Sequence, residues 1–107
     1  MSQFSETLDR IAAVIAARKG SDPAASYTAK LLSEGPERCA RKFGEEALET
    51  VIAAVSGDKD AVASESADLI YHWLVLLAAS GVSLDAVAAK LRAREGRSGL
   101  EEKASRG

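Results

Sequence analysis

Two acidic stretches hold the residue types that could do chemistry in this chain: Lys42-Phe43-Gly44-Glu45-Glu46-Ala47-Leu48-Glu49 and Glu65-Ser66-Ala67-Asp68. On a helix each residue turns the chain by about 100°, so Lys42, Glu46 and Glu49 share an arc of roughly 60°, with Glu45 at its edge. Glu65, Asp68 and His72 form a second stripe at spacings of three and four residues, continued by Leu69 and Leu76. From Leu69 to Ala79 the segment is apolar on every side except at Tyr71 and His72. That is the pattern of a buried helix, so its carboxylates face protein or a cleft rather than open water. An uncompensated buried carboxylate costs on the order of several kcal/mol, and such groups are paired, protonated or bound to a cation. Lys42 is the only basic side chain on these stripes, and four or five acids against one lysine leave a deficit that a divalent metal would fill.

Carboxylates at Glu46 and Glu49, facing Glu65 and Asp68 across a pair of helices, form a box of oxygen ligands suited to Mg²⁺ or Mn²⁺. Either stretch alone is a weak signal. A lone run of this kind is common on solvated helices, where Glu45, Glu46 and Glu49 would simply pair with Arg41 and Lys42. The two stretches together, on partner helices and leading into an apolar stripe, favour the metal. His72 has no second histidine nearby and Cys39 is the sole cysteine, which argues against zinc. A histidine bonded to a carboxylate is the better expectation. Tyr71 and Trp73 read as core or interface. Lys30, Lys42, Arg92 and Arg94 are candidate phosphate contacts, with a solvated helix end as the competing role for the two arginines. There is no glycine-rich phosphate loop, nucleophile elbow or Cys–His pair.

These residues need elements to position them. Phe4, Leu8, Ile11 and Ile15 recur at helical spacing and predict a first helix ending at Lys19-Gly20. Ser26 or Asp22 would cap a short helix through Leu32. Pro36 suits the first turn of a long helix reaching about Val55, broken by Ser56-Gly57-Asp58. Asp58 or Lys59 opens a third long segment ending at Ser80-Gly81. Ser83 would cap a last helix whose Leu84, Val87, Ala88 and Leu91 face inward, with Gly96 near its end. The tail over 95–107 is charged and reads as mobile. No strand pattern, repeat or second domain is evident, so the expectation is one all-α domain of four to five helices over 1–107. The tight turn between the two acidic helices would pack them antiparallel. The all-round apolar segment calls for more neighbours than three short helices supply, which predicts an antiparallel bundle completed by homodimerisation.

Composition limits the function classes. The chain has 107 residues, 47% of them hydrophobic, with a net charge of −2. Near-neutrality argues against nucleic acid as a partner. The lone cysteine fits a reducing compartment, and the longest apolar run is shorter than the ~18 residues of a membrane span. No membrane partner and a cytoplasmic location are therefore expected.

Glu45-Glu46-x-x-Glu49 followed by Glu65-x-x-Asp68 resembles the signature of the MazG-like all-α nucleotide pyrophosphohydrolases. With Ser26-Tyr27-Thr28-x-Lys30-Leu31, Lys42-x-Gly44, the run on to Leu69-Ile70-Tyr71-His72 and Arg94-x-Gly96, the chain more narrowly resembles the phosphoribosyl-ATP pyrophosphohydrolase family. The resemblance implies Mg²⁺-dependent cleavage of the α–β phosphate bond of phosphoribosyl-ATP, giving phosphoribosyl-AMP and pyrophosphate in the second step of histidine biosynthesis. It implies Glu46, Glu49, Glu65 and Asp68 as metal ligands, Glu45 and Glu46 as catalytic acids, and Lys30, Lys42 and Arg94 as phosphate contacts. Some members are fused to the cyclohydrolase of the next step; here a separate cyclohydrolase chain is expected. Two other readings stay open: a housecleaning pyrophosphohydrolase of nucleoside triphosphates, and an inactive helical dimerisation module.

Overall fold

Side-chain caps divide the chain into five helices in the computed structural model, which describes residues 2–96. These are α1 (Gln3–Arg18), α2 (Tyr27–Ser33), α3 (Pro36–Ser56), α4 (Lys59–Ser80) and α5 (Leu84–Arg92). Ser2, Ser26, Asp58 and Ser83 each accept a hydrogen bond from the backbone N–H three residues on, opening α1, α2, α4 and α5. Such a cap is worth about 1 kcal/mol, because it satisfies an amide the helix leaves bare. Pro36 opens α3, where its missing N–H costs nothing. Gly57 and Gly81 end α3 and α4 at φ 79° and 71°, a left-handed backbone that a side chain would strain. Among the described residues there is no strand, and the 97–107 part of the expected tail lies outside them. The fold is all-α.

α3 and α4 form the antiparallel hairpin that carries both acidic stretches. Thr50 of α3 meets Glu65 of α4, and Glu46, one turn back, reaches forward to His72, so the two helices run antiparallel. The Thr50 hydroxyl stands 2.8 Å from the Glu46 carbonyl and 3.3 Å from that of Glu65, tying the two helices together at the acids. α1 and α2 cross the other side of α4. Lys19 at the end of α1 donates to the Ala78 carbonyl at 3.1 Å, and Thr28 of α2 is hydrogen-bonded to the Tyr71 hydroxyl. Between them Ile15, Leu31, Cys39, Leu74 and Val75 make the core. Leu31 and Val75 are 1% and 0% exposed, and each such burial contributes about 1.5–3 kcal/mol. Cys39 is part of that core: its thiol donates to the Leu31 carbonyl at 3.3 Å, and burial, aided by Glu34, pushes its pKa up.

Two expectations change. None of the exposed large hydrophobics lies on α4, because α1, α2 and α3 already wrap it. The uncovered apolar surface is instead on α3, at Leu48, Val51, Ile52 and Val55, and on α1, at Phe4, Ile11 and Val14. Leu91, expected inside, is 59% exposed, and α5 contains no fully buried residue. A nine-residue helix at the bundle's edge lacks the neighbours to cover its last turn. No single helix among the described residues is long and apolar enough to cross a membrane.

Candidate metal centre

The hairpin register brings Glu46 and Glu49 of α3 against Glu65 of α4. One carboxylate oxygen from each lies within 4.8 Å of the others. The spacing of three on α3 puts Glu46 and Glu49 on successive turns of one face, and the Thr50 bridge holds Glu65 level with them. Glu46 is largely buried, with 13% of its side chain exposed. Its Oε2, and Oε2 of Glu65, are buried without any hydrogen-bond partner among the described residues. Burial raises the pKa of both Glu46 and Glu65, followed by the close carboxyl of Glu49, which favours a shared proton, and by the negative charge of Glu49 and Asp68. Three acids crowded at this range can keep their charges only with a positive partner.

The other expected residues divide around this trio. Asp68 is exposed and outside the tight group, although its charge still reaches Glu46 and Glu65. Glu45 turns outward to Lys42, whose Nζ lies 3.1 Å from Glu45 Oε1. That hydrogen bond, with the lysine's charge, holds Glu45 below the usual carboxylate range and raises Lys42. The basic partner expected for the whole stripe is thus engaged by the acid that leaves it. Lys30 is exposed on α2, and Arg94 is exposed just beyond α5.

His72 is buried against the trio, with Nε2 4.0 Å from Glu46 Oε1. Burial first, then the Lys42 charge, lowers its pKa against the opposing pull of Asp68 and Glu45. Its Nδ1 has no hydrogen-bond partner among the described residues. Tyr71 and Tyr27 both meet its ring edge-on, at centroid distances of 5.0 and 6.4 Å. Tyr27 was not singled out by itself in the sequence. An aromatic residue directly after a serine cap, next to a residue tied to α4, is the signal that could have found it.

The donor set fits a hard divalent cation: all ligand atoms are carboxylate oxygens, and one oxygen each of Glu46 and Glu65 is buried with no hydrogen-bond partner among the described residues. Fold and site together define an all-α protein that gathers acids from a helical hairpin into one cluster of carboxylates. A family model described as phosphoribosyl-ATP pyrophosphohydrolase matches residues 8–95. A protein of Caulobacter sp. (strain K31) is 68% identical over 106 residues, covering 99% of this chain and 98% of its own. One of Parvibaculum lavamentivorans is 64% identical, covering 100% of this chain and 98% of its own. A third, from Cereibacter sphaeroides (strain KD131), is 61% identical over 94% and 97%. All three are named phosphoribosyl-ATP pyrophosphatase. The chain belongs to the phosphoribosyl-ATP pyrophosphohydrolase family.

Proposed function

We propose that this protein hydrolyses phosphoribosyl-ATP to phosphoribosyl-AMP and pyrophosphate, the second step of histidine biosynthesis, with Mg²⁺ or Mn²⁺ as cofactor. The observation that carries the reading is the trio of Glu46, Glu49 and Glu65, with its two orphaned oxygens, in a chain matched to this family almost end to end. Glu46, Glu49 and Glu65 would hold the cation, with Asp68 beside them. When bound, it supplies the charge neutralisation that a triphosphate and its leaving pyrophosphate need.

The remaining work falls to the chain's own groups. Lys42 lies beside the cluster and would meet a phosphate oxygen as a point charge, turning from Glu45 to do so; Lys30 and Arg94 would extend that contact. In the reaction one P–O bond forms from water, the α–β anhydride bond breaks, and a water proton passes to a carboxylate. Glu45, held low by Lys42, is suited to orient the water as a hydrogen-bond acceptor. Glu46, largely buried against His72, would be the other acid to take the proton, on an oxygen the cation leaves free. Phosphoribosyl-AMP would then pass to the cyclohydrolase of the next step.

We also read the chain as a homodimer. Leu48, Val51, Ile52 and Val55 recur at spacings of three and four on α3 and are 61%, 58%, 59% and 84% exposed, a contiguous apolar stripe that a second copy would cover. A cytoplasmic location suits a nucleotide-metabolising enzyme of this kind. The test is pyrophosphate release from phosphoribosyl-ATP beside ATP and deoxynucleoside triphosphates, with and without Mg²⁺. Release confined to phosphoribosyl-ATP plus Mg²⁺ is expected. Preference for other triphosphates would favour the housecleaning activity, and no release from any would favour the dimerisation module.

A further inference from the structure

The two tyrosines that flank His72 are used differently. Tyr71 is half-buried and hydrogen-bonded to Thr28. Tyr27 is 56% exposed, and its hydroxyl makes no hydrogen bond to any described residue. Yet its backbone is pinned on both sides. Ser26 caps α2 by accepting from Ala29 N–H at 3.2 Å, and Thr28 is tied to Tyr71. The ring also meets His72 in a T-shaped pair, at a centroid distance of 6.4 Å and an interplanar angle of 88°. The result is an aromatic held at its backbone and beside His72, with more than half of its surface open.

Its surroundings say what that open surface is for. His72 Nε2 is 4.0 Å from Glu46 Oε1, so one side chain separates the Tyr27 ring from the carboxylate trio. Tyr27 is also close enough to Lys42 to add to the pull on that lysine, behind the larger effect of Glu45. An aromatic ring, a lysine and a cluster of carboxylates thus lie near one another around His72, the kinds of group that a nucleotide's base and phosphates would meet. A second copy of the chain is a poorer occupant. At about 100° per residue, Leu48, Val51, Ile52 and Val55 point to the side of α3 away from Glu46 and Glu49, whereas Tyr27 sits on the Glu46 side through His72.

We propose that Tyr27 is the platform on which the purine base of the substrate stacks, making it a binding and specificity-determining residue. Aromatic faces take bases in this way because both present flat, polarisable π-surfaces, and a tyrosine held in place loses little freedom on binding. The inference rests on the pyrophosphohydrolase reading, and the experiment separates the two. Steady-state KM and kcat for phosphoribosyl-ATP are measured for Tyr27→Ala, Tyr27→Leu, Tyr27→Phe and Tyr27→Trp. Inhibition by AMP is measured beside inhibition by ribose 5-phosphate, which has sugar and phosphate but no base.

Stacking predicts that Tyr27→Ala and Tyr27→Leu raise KM at least about tenfold, with a smaller fall in kcat, while the two aromatic variants retain tight binding. Leucine keeps the apolar contact with His72 and so guards against a folding defect in the alanine variant. AMP inhibition should weaken in parallel with KM, and ribose 5-phosphate inhibition should stay unchanged. Unaltered KM and AMP inhibition in both aliphatic variants would overturn the proposal. So would equal weakening of AMP and ribose 5-phosphate, or a change in sedimentation without a change in KM. If the wild-type chain releases no pyrophosphate at all, the enzymatic reading fails instead, and calorimetric binding of AMP against ribose 5-phosphate still decides the role of Tyr27.

Discussion

α3 presents two opposite surfaces, and each has the chemistry that would be expected of the other. The side facing α4 holds Glu46 and Glu49, crowded against Glu65 with buried oxygens left unbonded. The side facing water holds Leu48, Val51, Ile52 and Val55. Folding alone would favour the reverse, since burying charge is costly and exposing aliphatic surface forgoes hydrophobic stabilisation. The core shows what the ordinary arrangement looks like: Ile15, Leu31, Leu74 and Val75 are packed, and even the thiol of Cys39, near the start of α3, has its carbonyl. That inversion is what the proposed cation would relieve on the inner side of α3 and the proposed second chain on the outer side.

The hardest way to break that contrast is to neutralise the inner surface. Glu46→Gln, Glu49→Gln and Glu65→Gln each delete one negative charge with little change in shape. Each should cut pyrophosphate release from phosphoribosyl-ATP by about a hundredfold or more. Because the acids repel one another when no cation is present, urea melts of the metal-free variants should show stability equal to or above that of the wild type. Full activity in all three would mean that the inner acids are no more than a charged surface.

The outer surface is tested by doing the opposite, adding charge where the chain is apolar. Val51→Asp combined with Val55→Asp should raise the dimer dissociation constant at least about a hundredfold, since each subunit would bring two unpaired carboxylates into the interface. Sedimentation velocity at micromolar concentration should then report a monomer, against a dimer for the unaltered chain. A wild-type monomer, or a double variant that stays dimeric, would place no partner on this face.

A smaller effect sharpens the inner surface further. Glu46 and Glu65 hold protons more tightly in the folded chain than in the unfolded one. Their contribution is therefore fully present below the ordinary carboxylate range and is lost as pH rises through their raised pKa values. Exposed Glu45 has the opposite sign: its pairing with Lys42 stabilises above that range and fades as pH falls. Buried His72, whose pKa is lowered, opposes them by adding stability as pH rises; the two raised carboxylates outnumber it, so Tm without metal should fall as pH is raised from about 4 to about 8, and more steeply in His72→Asn. Mg²⁺ binds the carboxylate form, so the Tm increment it produces should grow over the same interval. An increment independent of pH would mean that the cation binds elsewhere.

Much of this was legible in local sequence. Ser26, Pro36, Asp58 and Ser83 mark helix starts, Gly57 and Gly81 mark ends, and each acts through bonds within one turn of itself. The spacing of Glu46 and Glu49, and the excess of acids over Lys42, announced a charge problem before any packing was known. The outer stripe of α3 was equally readable at positions 48, 51, 52 and 55. The more hydrophobic α4, whose breadth pointed to an interface there, leaves no large hydrophobic exposed among the described residues.

What only the tertiary structure decided is where side chains from different helices meet. Glu46, Glu49 and Glu65 converge, Asp68 stands just outside, and Glu45 turns away to Lys42. All five acids looked nearly equivalent in the periodic pattern. The difference comes from how far each helix is rolled about its axis and where the hairpin crosses, which the Thr50 bridge and the packing of α1 and α2 on α4 settle together. Tyr27 beside His72 has the same origin, since no spacing rule joins a residue on α2 to one forty-five positions later on α4. Caps and periodicity are set by interactions a few residues long, so the sequence determined the helices; convergence sums weak contacts over the whole bundle, and only the folded chain could determine the site.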